Sequence, residues 1–229
     1  MSDLEPTPAA APQATSASPV VAPVVRKRPR PGERRVQILQ ALATMLEHPG
    51  AERITTAALA ARLNVSEAAL YRHFASKAQM FEGLIDFIEQ TVFSLVNQIV
   101  ERESASNPAE LAPDAQSGAR QAAKIIVMLV QFAEKNPGMT RVMVGDALVF
   151  ENERLQQRMN QFFDKIEAAL KQSLRSVADA SGSATPSVDT QFRASVLSAF
   201  VAGRLQRFAR SGFKRLPSEH LESSLALIL

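Results

Sequence analysis

Residues 53–77 read RITTAALAARLNVSEAALYRHFASK, and the order of residue types in this stretch decides the fold class. Thr55 or Thr56 can cap a helix in which Leu59, Ala60 and Leu63 face inward. Asn64 tolerates the left-handed turn that ends it, and Ser66 caps a second helix, expected over 67–74. A helix of about eight residues, a turn of three and another short helix form a helix-turn-helix, whose second helix enters the DNA major groove. Ala60 suits that arrangement, because two helices crossing steeply need a small residue near their contact. The same spacing also fits any pair of short helices in an α-helical bundle.

Along the second helix Leu70 and Phe74 are four apart and turn to the core, which leaves Glu67, Ala68, Tyr71 and Arg72 toward a groove. Arg72 can fork onto guanine, and Ala68 can meet a thymine methyl. Glu67 repels phosphates; it either accepts from cytosine N4 or answers the helix dipole at the first turn, and the dipole reading is favoured.

Upstream, Val36, Leu39, Leu42, Ala43 and Leu46 recur at three and four residues, so 33–47 is expected as an amphipathic helix stopped by Pro49-Gly50. Before it, residues 1 to 32 are rich in Ala, Pro, Ser and Thr and are read as a disordered tail. That tail ends in a cationic arm, Arg26, Lys27, Arg28, Arg30, Arg34 and Arg35. The arm is either a salt-sensitive phosphate contact or a solvated leader.

The run Arg53 to Thr56, Leu59-Ala60, Asn64-Val65-Ser66, Leu70 to Phe74 and Ser76-Lys77 resembles the DNA-binding signature of TetR-type regulators, with Asn64 where that family usually has Gly. The resemblance implies an all-α, TetR-like fold: a helix-turn-helix domain over 33–77 and a helical dimerisation and partner-binding domain over 78–229. It implies phosphate contacts from Thr56, Ser66, Tyr71, His73 and Lys77, which join Arg34, Thr55, Glu67, Ala68 and Arg72 as the candidate DNA-binding residues. Lys77 also opens the following helix, where free amides favour anions.

That next helix, 77 to about 102, carries Phe81, Leu84, Ile85, Ile88, Val92, Leu95, Val96 and Ile99 as one core stripe. Phe87 falls roughly 120° from the stripe at ~100° per residue, on the side of Met80. It is either a partner anchor or part of a second packing surface. Ala122 to Ala133 is apolar on nearly all sides and is expected as the central helix of the second domain, with Pro137-Gly138 stopping it beyond Lys135 and Asn136. Locally, Lys135 complements a helix C-terminus and Asn136 is a turn residue.

MFEGLIDFIEQ at 80–90 and EKNPGMTRVMVGDALVFENERLQQRMNQFFDKIEA at 134–168 are similar to one branch of the TetR family, the bacterial nucleoid occlusion factors. This narrower resemblance implies a docking face for FtsZ, the tubulin-like division GTPase, made by Phe87, Met128, Gln131, Lys135 and Asn136. Gln131 stands where that branch has a small residue, and Leu95 where it has a basic one. The implied function is a sequence-specific DNA-binding protein that antagonises the division ring over the nucleoid. A TetR-type repressor released by a small-molecule inducer is the alternative.

Residues 151–177 are expected as one long amphipathic helix carrying Leu155, Met159, Phe162, Phe163, Ile166, Leu170 and Leu174, followed by a loop at 178–188. A last long helix to about Arg210 has two apolar sides, one with Phe192, Val196, Ala199, Phe200 and Gly203, the other with Leu197, Val201, Leu205 and Phe208. Such an arc exceeds one intrachain contact and predicts a homodimer, which would read palindromic double-stranded DNA.

Composition narrows the rest. The 229 residues carry 26 Lys and Arg against 23 Asp and Glu, a small excess, and no Cys, which removes disulfides and thiolate metal sites. His48, His73 and His220 lack ligand spacing, so no metal is expected. Phosphate-loop, zinc-protease and hydrolase-elbow motifs are absent, so neither an enzyme nor a cofactor is expected. No stretch approaches the ~18 apolar residues of a membrane span, and Glu151 and Glu153 beside Arg154 read as a solvated helix start. A cytoplasmic, nucleoid-associated protein is the expectation.

Overall fold

A computed structural model describes residues 32–48, 54–105, 115–182 and 184–229. The tail with most of its basic arm, Pro49-Gly50 and Arg53 lie outside them. Ten α-helices account for the described chain: α1 (Glu33–Leu46), α2 (Thr56–Leu63), α3 (Glu67–Tyr71), α4 (Lys77–Ala105), α5 (Ala115–Lys135), α6 (Pro137–Met143), α7 (Glu153–Ser173), α8 (Arg175–Ala180), α9 (Pro186–Arg210) and α10 (Leu221–Ile228). A 3-10 turn, Asp146–Leu148, leads toward α7.

The caps form as their chemistry dictates. Thr55 is the cap of α2, its hydroxyl accepting from the Ala58 amide at 3.1 Å. Asn64 takes the left-handed conformation, φ 53° and ψ 51°, and Ser66 accepts from the Ala69 amide at 3.3 Å. The second helix is shorter than its expected 67–74: α3 ends at Tyr71, and Arg72 continues as a turn. Phe74 still reaches the core, because its amide stays bonded to the Leu70 carbonyl at 3.1 Å.

Helix α4 spans two environments. Its first turn lies under the helix-turn-helix, where Met80 and Phe81 are buried beside Leu42, Ile54 and Leu59. Met80 therefore does not share the outward side of Phe87, as its angle on a helical wheel suggested. Farther along, Leu84, Ile85, Ile88, Val92 and Val96 are buried and α4 packs on α5 and α7, while Leu95 and Ile99 are only half-buried. In α1 the inward face is Ile38, Leu42, Ala43 and Leu46; Val36, expected inward, is exposed.

Two expected breaks move. Pro137-Gly138 ends α5 but opens α6, with Pro at the first helical turn, where its missing N–H costs nothing. Helix α6 packs on α1 so closely that a Cβ at Gly138 would lie 1.9 Å from the Ala43 carbonyl oxygen. The long helix expected over 151–177 is two, α7 and α8, with the bend at Leu174. The bend faces Gly118 of α5, where a Cβ would sit 2.4 Å from both the Ser173 carbonyl oxygen and the Ser176 hydroxyl. Close approach of α5 sets this bend, and the apolar period through Val177 carries no trace of it. Consequently 178–180, expected as loop, is helical.

Helix α9 separates its two apolar sides. Leu197, Val201, Leu205 and Phe208 are buried within the chain, whereas Phe192 is 65% exposed and Val196 53% exposed. Among the described residues no helix is long and apolar enough to cross a membrane.

Candidate nucleic-acid interface and partner face

On α3, Leu70 is buried and Glu67, Ala68, Tyr71 and Arg72 are all exposed, as is His73 in the turn that follows. Helix α1 fixes the far end of this surface. Arg35 donates to the His73 carbonyl at 2.9 Å, and its guanidinium carbon lies 4.1 Å from the Phe74 ring centroid. Arg35 thus joins α1 to the α3 turn, while Arg34, half-buried, donates to Gln37 at 3.0 Å.

Glu67 answers to a partner as well as to the helix dipole: the Thr56 hydroxyl donates to its carboxylate at 2.5 Å. That bond ties the start of α2 to the start of α3 and sets the angle between them. It also occupies the hydroxyl donor of Thr56, so a phosphate at that hydroxyl must compete with Glu67.

The start of α4 is a capping box. Ser76 accepts from the Gln79 amide at 3.2 Å, and Gln79 reaches back to accept from the Ala75 amide at 2.9 Å. The S-x-x-Q spacing, Ser76 to Gln79, is the sequence signal of this cap. Lys77, immediately after it, is ion-paired with Glu151. Glu151 is therefore no solvated helix start; its side chain is 9% exposed.

Charge pairs continue along α4 against α7: Glu82 with Arg154 at 2.7 Å, Asp86 and Glu89 with Arg158 at 2.8 and 2.7 Å, and Glu89 with Lys165 at 3.0 Å. Burial acts to lower the Arg158 pKa, but the hydrogen bonds and charges of Asp86 and Glu89 outweigh it and hold it above the ordinary value. Alternating acids and bases on two amphipathic helices give no unique partner from sequence, so this ladder had no readable signal.

Phe87 is 43% exposed beside this ladder. On α5 the residues Met128, Gln131 and Lys135 are spaced by three and four and turn outward, Met128 half-buried and the other two exposed. Asn136 is half-buried and has a local task, donating from Nδ2 to the Phe132 carbonyl at 2.8 Å. Phe87 and the α5 residues therefore lie outward on two helices packed together.

The family model for bacterial regulatory proteins of the tetR family matches residues 38–84, and that for the tetracyclin repressor-like C-terminal domain, of SlmA-like type, matches residues 119–229. A protein of Aliivibrio fischeri strain MJ11 called nucleoid occlusion factor SlmA is 49% identical over 201 residues, covering 87% of this chain and 96% of that one. The protein of the same name from Vibrio cholerae serotype O1 is 48% identical over 197 residues, covering 85% and 93%. The chain belongs to the SlmA nucleoid occlusion factors, a branch of the TetR family. Among solved structures, the transcriptional regulators FadR from Bacillus subtilis, in complex with stearoyl-CoA, and from Bacillus halodurans share the fold. They have TM-scores of 0.64 and 0.66 at 16% and 15% identity, covering 84% and 86% of this chain and 96% and 95% of theirs. The SlmA-type relatives extend across the α4 segment between the two matched domains, so the Phe87 face lies inside the shared region.

Proposed function

We propose that the chain is a dimeric, sequence-specific DNA-binding nucleoid occlusion factor that antagonises FtsZ ring assembly over the chromosome. The observation that supports it most is near-complete coverage of SlmA relatives at 49% identity, joined to an open recognition surface on α3. Two copies of the chain would pair through the exposed side of α9 together with α7, presenting two α3 helices about one DNA turn, ~34 Å, apart. The pair would read a palindrome at the nucleoid, in the cytoplasm.

In this reading Arg72 and Ala68 read bases, while Thr55, Ser66, Tyr71, His73 and Arg34 position the phosphate backbone. Glu67 organises the two helices and keeps phosphates from crowding the first turn. FtsZ docks on the outward side of α4 and α5, anchored by Phe87 and bordered by Met128, Gln131, Lys135 and Asn136. No catalytic step is assigned to any residue.

The test is sedimentation of FtsZ polymers with GTP, with and without this protein and with and without a duplex carrying its best-bound palindrome. DNA-dependent loss or rearrangement of polymers is expected. Phe87→Ala should weaken the effect by more than ~1 kcal/mol in partner affinity while duplex affinity is unchanged. FtsZ that ignores the protein in every mixture, with DNA still bound, would refute the partner. Release of DNA by a small ligand would then favour the inducer-controlled repressor.

A further inference from the structure

The start of α4 already holds an anion: the Glu151 carboxylate on the Lys77 ammonium. The two partners are unequally covered, Lys77 being 32% exposed and Glu151 9%. Lys77 also has its ammonium 5.7 Å from the Phe81 ring centroid, a second contact on the same side chain. The pairs Glu82–Arg154, Asp86–Arg158, Glu89–Arg158 and Glu89–Lys165 place the acid on α4 and the base on α7; here the base is on α4 and the acid lies two residues before α7. Its base sits four residues after His73, on the surface assigned to phosphate contact.

We infer that Glu151 is an internal competitor for a DNA phosphate at Lys77 and so sets the affinity of the chain for duplex DNA. The inference rests on the DNA-binding reading above. In the free chain the carboxylate neutralises Lys77; in the complex a phosphate takes its place. The phosphate contact outweighs the pair it replaces, so Lys77 still favours the complex, but Glu151 is left largely covered without its counter-charge, which subtracts from that gain. The penalty falls on the bound state. It also falls on the segment just before α7, since Glu151 precedes Asn152, whose side chain caps that helix by accepting from the Arg154 amide at 3.1 Å. DNA binding therefore breaks one of two charge contacts near the α7 start, the Arg154–Glu82 pair remaining, and Glu151 is a positioning residue that makes this exchange costly.

The experiment is a double-mutant cycle on the full chain, read by fluorescence anisotropy with a palindromic duplex at low and physiological salt, with thermal melting as the folding control. Glu151→Gln should bind the duplex about three- to tenfold more tightly than wild type. Lys77→Ala should bind more weakly, and in its background Glu151→Gln should bring no further gain, because the competitor has nothing left to hold. Glu151→Asp, which keeps the charge on a shorter arm, should fall between wild type and Glu151→Gln and serves if the amide variant folds poorly. A Glu151→Gln gain that persists without Lys77 would overturn the inference, since it would reflect only the loss of a negative charge. Unchanged affinity in both Glu151 variants, with Lys77→Ala weakened, would overturn it as well. Wild-type chain that binds no duplex would remove the DNA-binding reading itself, which is a different failure.

Discussion

Replacing Gly138 by Ala tests whether α6 fixes the helix-turn-helix onto the second domain. A Cβ there would lie 1.9 Å from the Ala43 carbonyl oxygen and 2.8 Å from its carbon. Both are backbone atoms, so no rotamer change can relieve the contact. Restoring ordinary separation demands a retreat of about 1.5 Å by α1 or α6. Such overpacking costs about 3 kcal/mol, against which the better helix propensity of Ala returns less than 1 kcal/mol. For a chain of this size the melting temperature should fall by about 5–10 °C, measured by circular dichroism at 222 nm. Duplex affinity should fall too, because Arg35 of α1 holds the His73 carbonyl beside the recognition surface. A variant that melts within 2 °C of wild type and binds DNA equally well would refute the reasoning.

Three further outcomes are expected. Arg72→Ala should relax sequence preference at a cost of roughly 1 to 3 kcal/mol, seen as a reduced ratio between palindrome and scrambled duplex; an unchanged ratio would remove Arg72 from base readout. Glu67→Gln weakens the bond from Thr56 and the dipole contribution, so stability should drop by about 0.5–1 kcal/mol while duplex affinity rises; a fall in both would assign Glu67 to base contact instead. Phe192→Glu lies on the exposed side of α9 and should leave the monomer's helicity intact while weakening self-association at least tenfold, about 1.4 kcal/mol, by sedimentation velocity. Unaltered association would place the dimer seam elsewhere.

What was legible in the sequence was whatever local chemistry dictates. Thr55, Asn64 and Ser66 act on their own backbone neighbours, so the two short helices and the turn between them follow from residue type and spacing, while the family resemblance singles out the helix-turn-helix among such pairs. The outward side of α9 was legible for a different reason: two apolar sides on one helix both demand cover, and among the described residues one side stays exposed at Phe192 and Val196.

The misreadings share a cause. Periodicity gives the angle at which a side chain leaves a helix but not which neighbour covers that stretch. Met80 is buried although its angle lies away from the main stripe, because α4 passes under α1 and α2 before it reaches α5 and α7. The α7–α8 bend and the seating of α6 on α1 depend on glycines 118 and 138, whose close approaches involve partners 55 and 95 positions away. Lys77 and Glu151, 74 residues apart, are one of many possible opposite-charge pairs until the fold brings them together.

These placements make α4 the shared element of both proposed activities. Lys77 at its first residue faces the DNA-binding surface, and Phe87 lies ten residues on, about 15 Å along the same rod. Between them the helix runs unbroken, buried on one side and tied to α7 by Arg154 and Arg158 on another, so a tilt at its first turn is carried along the rod. A tilt that improves groove contact is then also felt at Phe87, and linkage requires FtsZ to favour DNA binding by the same factor by which DNA favours FtsZ. If DNA instead acted only by gathering dimers along its length, that reciprocity would hold for the array and vanish for a single dimer on one palindrome. The unbroken course of α4 from Lys77 to Phe87 argues for the first arrangement.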